Sequence, residues 1–176
     1  MANGTILKVR WFSGNVERNK MTVGYLLDLF IINQVRKDKL GHKIDKDIKY
    51  DLEKQDGHLL KEIGNLLIEI ADGKRPGVFA KHKQYDKGVG EVYDDNLIEV
   101  IYKLYSRHRE LWNLEDLRRD KANSDKSRLE ACDRVSIANK KRNDLVENLD
   151  MIISNRLKKI KLWEQQQNEK SSSHWS

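Results

Sequence analysis

Apolar residues recur at helical spacing along four stretches of the chain. In the first, Val23, Leu26, Leu27, Phe30 and Ile31 follow Thr22, a good N-cap, and Gly41 supplies a C-terminal stop. In the second, Ile48, Leu52, Leu59, Ile63, Leu66 and Ile70 keep one phase behind Asp45, with Gln55 on the same stripe. Gly57 weakens this run, so a kink is expected near Asp56. In the third, Leu97, Val100, Leu104, Leu111 and Leu114 align, and in the fourth Val135, Ala138, Leu145, Val146, Leu149, Ile152, Ile153 and Ile160 do. The pattern predicts helices over residues 22–40, 45–71, 95–121 and 125–163. The fold class is therefore all-α, a helical bundle of about four main helices.

Two stretches break the helical period. Residues 1–20 contain the β-branched and aromatic run Ile6–Phe12, which reads as a short extended N-terminal arm. Residues 73–95 hold Gly73, Pro76, Gly77, Gly88 and Gly90 together with Lys81, His82, Lys83 and Lys87, and read as a long basic loop. The domain expected from this layout is a single helical one over 1–164. A polar tail follows over 165–176, and its Ser-rich ending resembles a cloning linker that runs into an affinity tag.

Composition narrows the classes. The chain has 176 residues, 35% of them charged and one of them proline, which favours helix over a loop-rich or all-β fold. The net charge of +6 is spread among alternating acids and bases, the habit of a solvated helix surface rather than of a dedicated nucleic-acid face. Cys132, the one cysteine, rules out an internal disulfide and suits a reducing, cytoplasmic setting. No apolar run reaches the roughly 20 residues of a membrane span, and the N-terminus lacks a signal-peptide layout. No membrane partner is expected.

Candidate chemistry lies where charges interrupt the apolar stripes of the last two helices. At about 100° per residue, Arg142 falls inside the apolar arc of the fourth helix, with Asn139, Asn143, Glu147 and Asp150 along its edge. On the third helix His108 and Glu115 lie within the stripe and Asp116 sits beside them. A buried Arg and a buried Glu are costly unless paired, so Glu115 is the first-choice partner of Arg142. Such a cluster either fixes helix register or forms a ligand site between helices. Lys81 and Lys83 of the basic loop are candidate lid residues that meet an anion.

The segment Glu110–Asp116, sequence ELWNLED, and the segment Asn139–Asp150, sequence NKKRNDLVENLD, resemble an uncharacterised bacterial and phage family, a domain of unknown function. Its pattern is LWxLED on one helix and NxxRNDLxExxD on the next. The opening Thr22–Asp28, TVGYLLD, is similar to one seen in such proteins. Asn113 stands where the family pattern has a histidine after the tryptophan. The resemblance covers roughly residues 97–153. It implies a helical protein with a polar inter-helix site and brings no established activity.

Three functional readings follow. The first is a non-enzymatic helical protein, homo-oligomeric, that binds a small anionic ligand or a protein partner through the polar inter-helix site and uses no cofactor. Ile160, Leu162 and Trp163 lie past the expected core, the mark of an oligomer interface. The second is a magnesium-dependent all-α nucleoside triphosphate pyrophosphohydrolase, a class whose members use Glu-x-x-Glu and Glu-x-x-Asp pairs. Glu147 with Asp150 and Glu69 with Asp72 have the spacing of one such pair, and the Glu-x-x-Glu is missing. The third is a nucleic-acid-binding accessory protein, favoured by net charge alone.

Overall fold

The computed structural model describes residues 21–41, 44–76 and 96–173. Four helices make up the described chain: α1 (Val23–Leu40), α2 (Lys46–Ala71), α3 (Leu97–Arg119) and α4 (Asp125–Ser173). No strand occurs among the described residues. The all-α bundle expected from the periodicity is what the chain forms. The N-terminal arm and most of the basic loop, Lys81 and Lys83 included, lie outside the described residues.

The helix starts follow local side-chain chemistry. Thr22 Oγ1 accepts the Tyr25 N–H, Asp45 accepts that of Asp47, Asn96 that of Ile98, and Ser124 that of Ser127. Each acceptor satisfies one N–H that has no partner inside its helix. At the other end of α1, Gly41 takes φ +51°, the left-handed region that glycine enters without strain. The second helix runs unbroken through Gly57.

The fourth helix runs ten residues past the expected end at 163. Nothing stops it: Gln165, Gln166, Gln167, Glu169 and Lys170 are straight-chain helix formers, with no glycine or proline among them. At 49 residues it is about 73 Å long, against about 35 Å for the 23 residues of α3.

The topology is up-down-up-down. Gly24 and Asp28 of α1 bond Asp150 and Arg142 of α4 in reverse order, so these helices are antiparallel. Met21 and Lys37 meet Arg75 and Asp56, which sets α2 antiparallel to α1. A tight turn, in which Arg128 Nε donates to the Arg118 carbonyl, folds α4 back along α3.

Two apolar clusters fill the interior. One joins Ile31 and Val35 to Val100, Leu104, Leu145, Leu149 and Ile152. The other joins Val23, Leu26 and Leu29 to Leu59, Ile63 and Leu66. Helix α1 is common to both. Over residues 23–32 it is apolar nearly all round because it is enclosed on several sides, and it is the central element of the bundle.

Candidate functional site

Asp28 lies in the middle of α1 and is wholly buried, at 0% exposure. Three donors converge on it. Arg142 on α4 gives Nε to Oδ1 at 2.8 Å and Nη2 to Oδ2, a bidentate pair. His108 on α3 places Nε2 2.7 Å from Oδ1. One carboxylate thus ties three helices together.

Burial by itself would push the Asp28 carboxyl up. The hydrogen bonds from Arg142 and His108, with the charge of Arg142, outweigh it and hold the group below the usual carboxylate range. The hydrogen bonds that Arg142 donates to Asp28 push the guanidinium above its ordinary value. An ionised Asp28 can only accept, so His108 donates to it through Nε2. Arg142 is 24% exposed at its side chain, and Tyr25, one turn before Asp28, lies close to its guanidinium.

The expected partnership of Glu115 with Arg142 does not form. Glu115 bonds Arg118 at 2.6 Å and Arg119 at 3.3 Å on its own helix. The hairpin explains the correction. Glu115 precedes the centre of the turn by about seven residues and Arg142 follows it by about twenty, an offset of about 20 Å along the helices. Asp116 is exposed, and Asn139, Asn143 and Glu147 are half-buried along α4. Of the residues singled out on α3 and α4, the structure brings His108 and Arg142 together, through an aspartate on neither helix.

Asp150 occupies a second seat two turns along α4. It accepts the Gly24 N–H at 2.6 Å and the hydroxyl of Thr22, so it caps the first turn of α1 from across the interface. Gly24 is required there: a Cβ would stand 2.5 Å from the Val146 carbonyl oxygen and 2.9 Å from Asp150 Oδ1. Burial, joined by the like charge of Glu147, pushes the Asp150 carboxyl up to about 6, although the two hydrogen bonds act against this.

Sequence reasoning missed Asp28, although a signal was present. It is the one charged residue between Val23 and Gln34, set in an otherwise apolar run. It missed Asp56 for the same reason: the α2 stripe was read through its neighbour Gln55. Asp56 is buried against α1, where it accepts from Asn33 at 3.0 Å, Gln34 at 2.7 Å and Lys37. A shallow groove near this second cluster is floored by Leu29 and Leu59 and rimmed by Asp51, Lys54 and His58. It lies on the α2 side of α1, away from Arg142.

Among the described residues no group of three or more His, Cys, Asp or Glu side chains is arranged to hold a metal ion. Of the carboxylates considered for metal, Asp150 is engaged by α1, Asp72 by Lys74 and Glu69 by Arg75. No described helix is long and apolar enough to cross a membrane.

Residues 98–174 match a family model described as "Protein of unknown function (DUF4254)". The matched span takes in α3 and α4, with His108, Glu115 and Arg142, and includes most of the tail that resembles an affinity tag. Comparisons with curated proteins and with solved structures found no match.

Proposed function

We propose that this chain is a non-enzymatic helical protein that acts by pairing with another chain, a second copy of itself, through the part of α4 that outruns the bundle. The polar cluster at Asp28 then serves as framework. Its charges are spent internally, Arg142 on Asp28, which leaves little uncompensated positive charge to draw an anion.

The observation that carries the reading is the phase of α4. Ile160 and Trp163 fall eleven residues beyond Leu149 and Ile152, about three turns along the same face. Leu149 and Ile152 are buried against α1 and α3, whereas Ile160 and Trp163 are 53% and 61% exposed. The core-facing stripe thus continues where those helices have ended. Charge favours a second copy as the cover. The projection is basic over 156–161, with Arg156, Lys158, Lys159 and Lys161, and acidic later, with Glu164 and Glu169. Antiparallel pairing sets Ile160 of one copy beside Trp163 of the other and Lys159 beside Glu164. Such a two-fold contact closes into a dimer.

Light scattering on the full chain should give twice the chain mass. Trp163→Glu should return it to one chain mass and leave the melting temperature of the bundle in place. A monomer at all working concentrations, or a dimer indifferent to Trp163→Glu, would defeat the proposal.

The pyrophosphohydrolase reading has less support, because Asp150 is committed to α1 and, among the described residues, no second carboxylate pair converges on it. No pyrophosphate release from nucleoside triphosphates is expected with magnesium or manganese. Turnover that vanishes in Glu147→Gln would replace the present reading with that one.

A further inference from the structure

The α1–α4 interface buries two aspartates in contrasting ways. Asp28 faces a guanidinium and an imidazole. Asp150, 6% exposed, faces only a backbone N–H and a hydroxyl. Among the described residues no cation contacts it. The titratable and charged groups around this end of the interface are Glu147 and Arg142 on α4, Tyr25 and Asp28 on α1, His108 on α3 and Arg75 beyond α2, with Arg142 committed to Asp28. Of these, Glu147 alone bears on the Asp150 charge, and it repels it.

We propose that the seat of Asp150 is a proton-responsive clamp on the first turn of α1: a proton taken up there tightens α1 against α4, and its loss loosens the contact. The hydrogen bonds accommodate the change. In the neutral acid the carbonyl oxygen still accepts the Gly24 N–H. The new O–H donates to Thr22 Oγ1, whose other lone pair serves the Tyr25 N–H, and the half-buried Thr22 hydroxyl turns its own proton away from Asp150. Ionisation instead leaves a buried charge with no counter-ion beside another carboxylate. The backbones touch at Gly24 and Val146, so no side chain cushions the loosening.

The direction follows from linkage. The folded-state carboxyl titrates at about 6, above its ordinary 3.8, so the folded protein holds the proton more firmly than the unfolded chain. The stabilisation is fully present below the ordinary value and is lost as pH rises through about 6. This is opposite to Asp28, whose contribution is present above the ordinary value and lost on acidification below it.

Hydrogen exchange of the Leu26 and Leu27 amides, corrected for intrinsic rates, reads the clamp. Protection should be greater at pH 5 than at pH 7.5, by up to about tenfold. In Asp150→Asn it should be high at both, because the amide keeps an acceptor for Gly24 and carries no charge. His108→Gln should retain the wild-type pH dependence. An unchanged pH dependence in Asp150→Asn, its loss in His108→Gln, or weaker protection at pH 5 would overturn the proposal. Carbon-13 titration of the Asp150 carboxyl in the unaltered protein gives a test free of substitutions: a midpoint near 6 sustains the clamp and one near 4 ends it.

Discussion

Replacing Arg142 by methionine should cost about 3–5 kcal/mol of unfolding free energy, the largest loss expected from any single side chain here. Methionine keeps most of the volume of the arginine stem, so the loss would be electrostatic. Asp28 would stay wholly buried with its bidentate donor gone and only His108 left. Urea denaturation measures this as a lower midpoint at constant slope. Asp28→Asn in the same background should recover most of the loss, since it removes the stranded charge. Acidification should also recover part of it in Arg142→Met, because an Asp28 without its guanidinium takes up a proton more readily. An unchanged midpoint in Arg142→Met would mean that the pair contributes nothing to the fold.

Gly24→Ala should be nearly as damaging, at about 1–3 kcal/mol or somewhat more. One added methyl would lie 2.5 Å from the Val146 carbonyl oxygen, which is backbone within a long helix and has no rotamer through which to yield. Helix α1 must therefore move off α4, which lengthens the 2.6 Å bond to Asp150. Helix propensity works the other way, since alanine is the better helix former by up to about 1 kcal/mol. A melting temperature equal to or above that of the wild type would show that the approach is looser than described.

The number, order and starts of the helices were legible because each has an apolar period behind a polar residue placed to cap it. The partner of Arg142 was not. Over residues 23–32 α1 is apolar apart from Asp28, so its period was read without the aspartate, whereas Glu115, inside the stripe of α3, was noticed. Pairing also depends on register along the hairpin, which side-chain type does not encode. Gly24 read as one residue in an opening pattern; that its missing Cβ matters is a property of the Val146 carbonyl 122 positions away. The end of α4 was placed too early because polar composition was taken as a stop, when a helix ends on glycine, proline or an unmet cap.

The seam that α1 forms with α4 joins residues 114 and 126 positions apart. The α3–α4 turn is closed by a contact only 10 positions apart. Closing the longer loop costs about 2 kcal/mol more in chain entropy. The hairpin of α3 and α4 can thus assemble from local contacts, and α1, which carries the faces of both apolar clusters, is the piece whose arrival completes them. Asp28 and Gly24 then act as the register marks that fix how α1 seats on the hairpin. A hairpin lacking α1 would present Leu104, Leu145 and Leu149 to water, with Arg142 unneutralised and the His108 ring without its acceptor among them. Such a surface is selective: a generic apolar segment would cover the leucines and strand the guanidinium, whereas a helix with aspartate at the right height satisfies both.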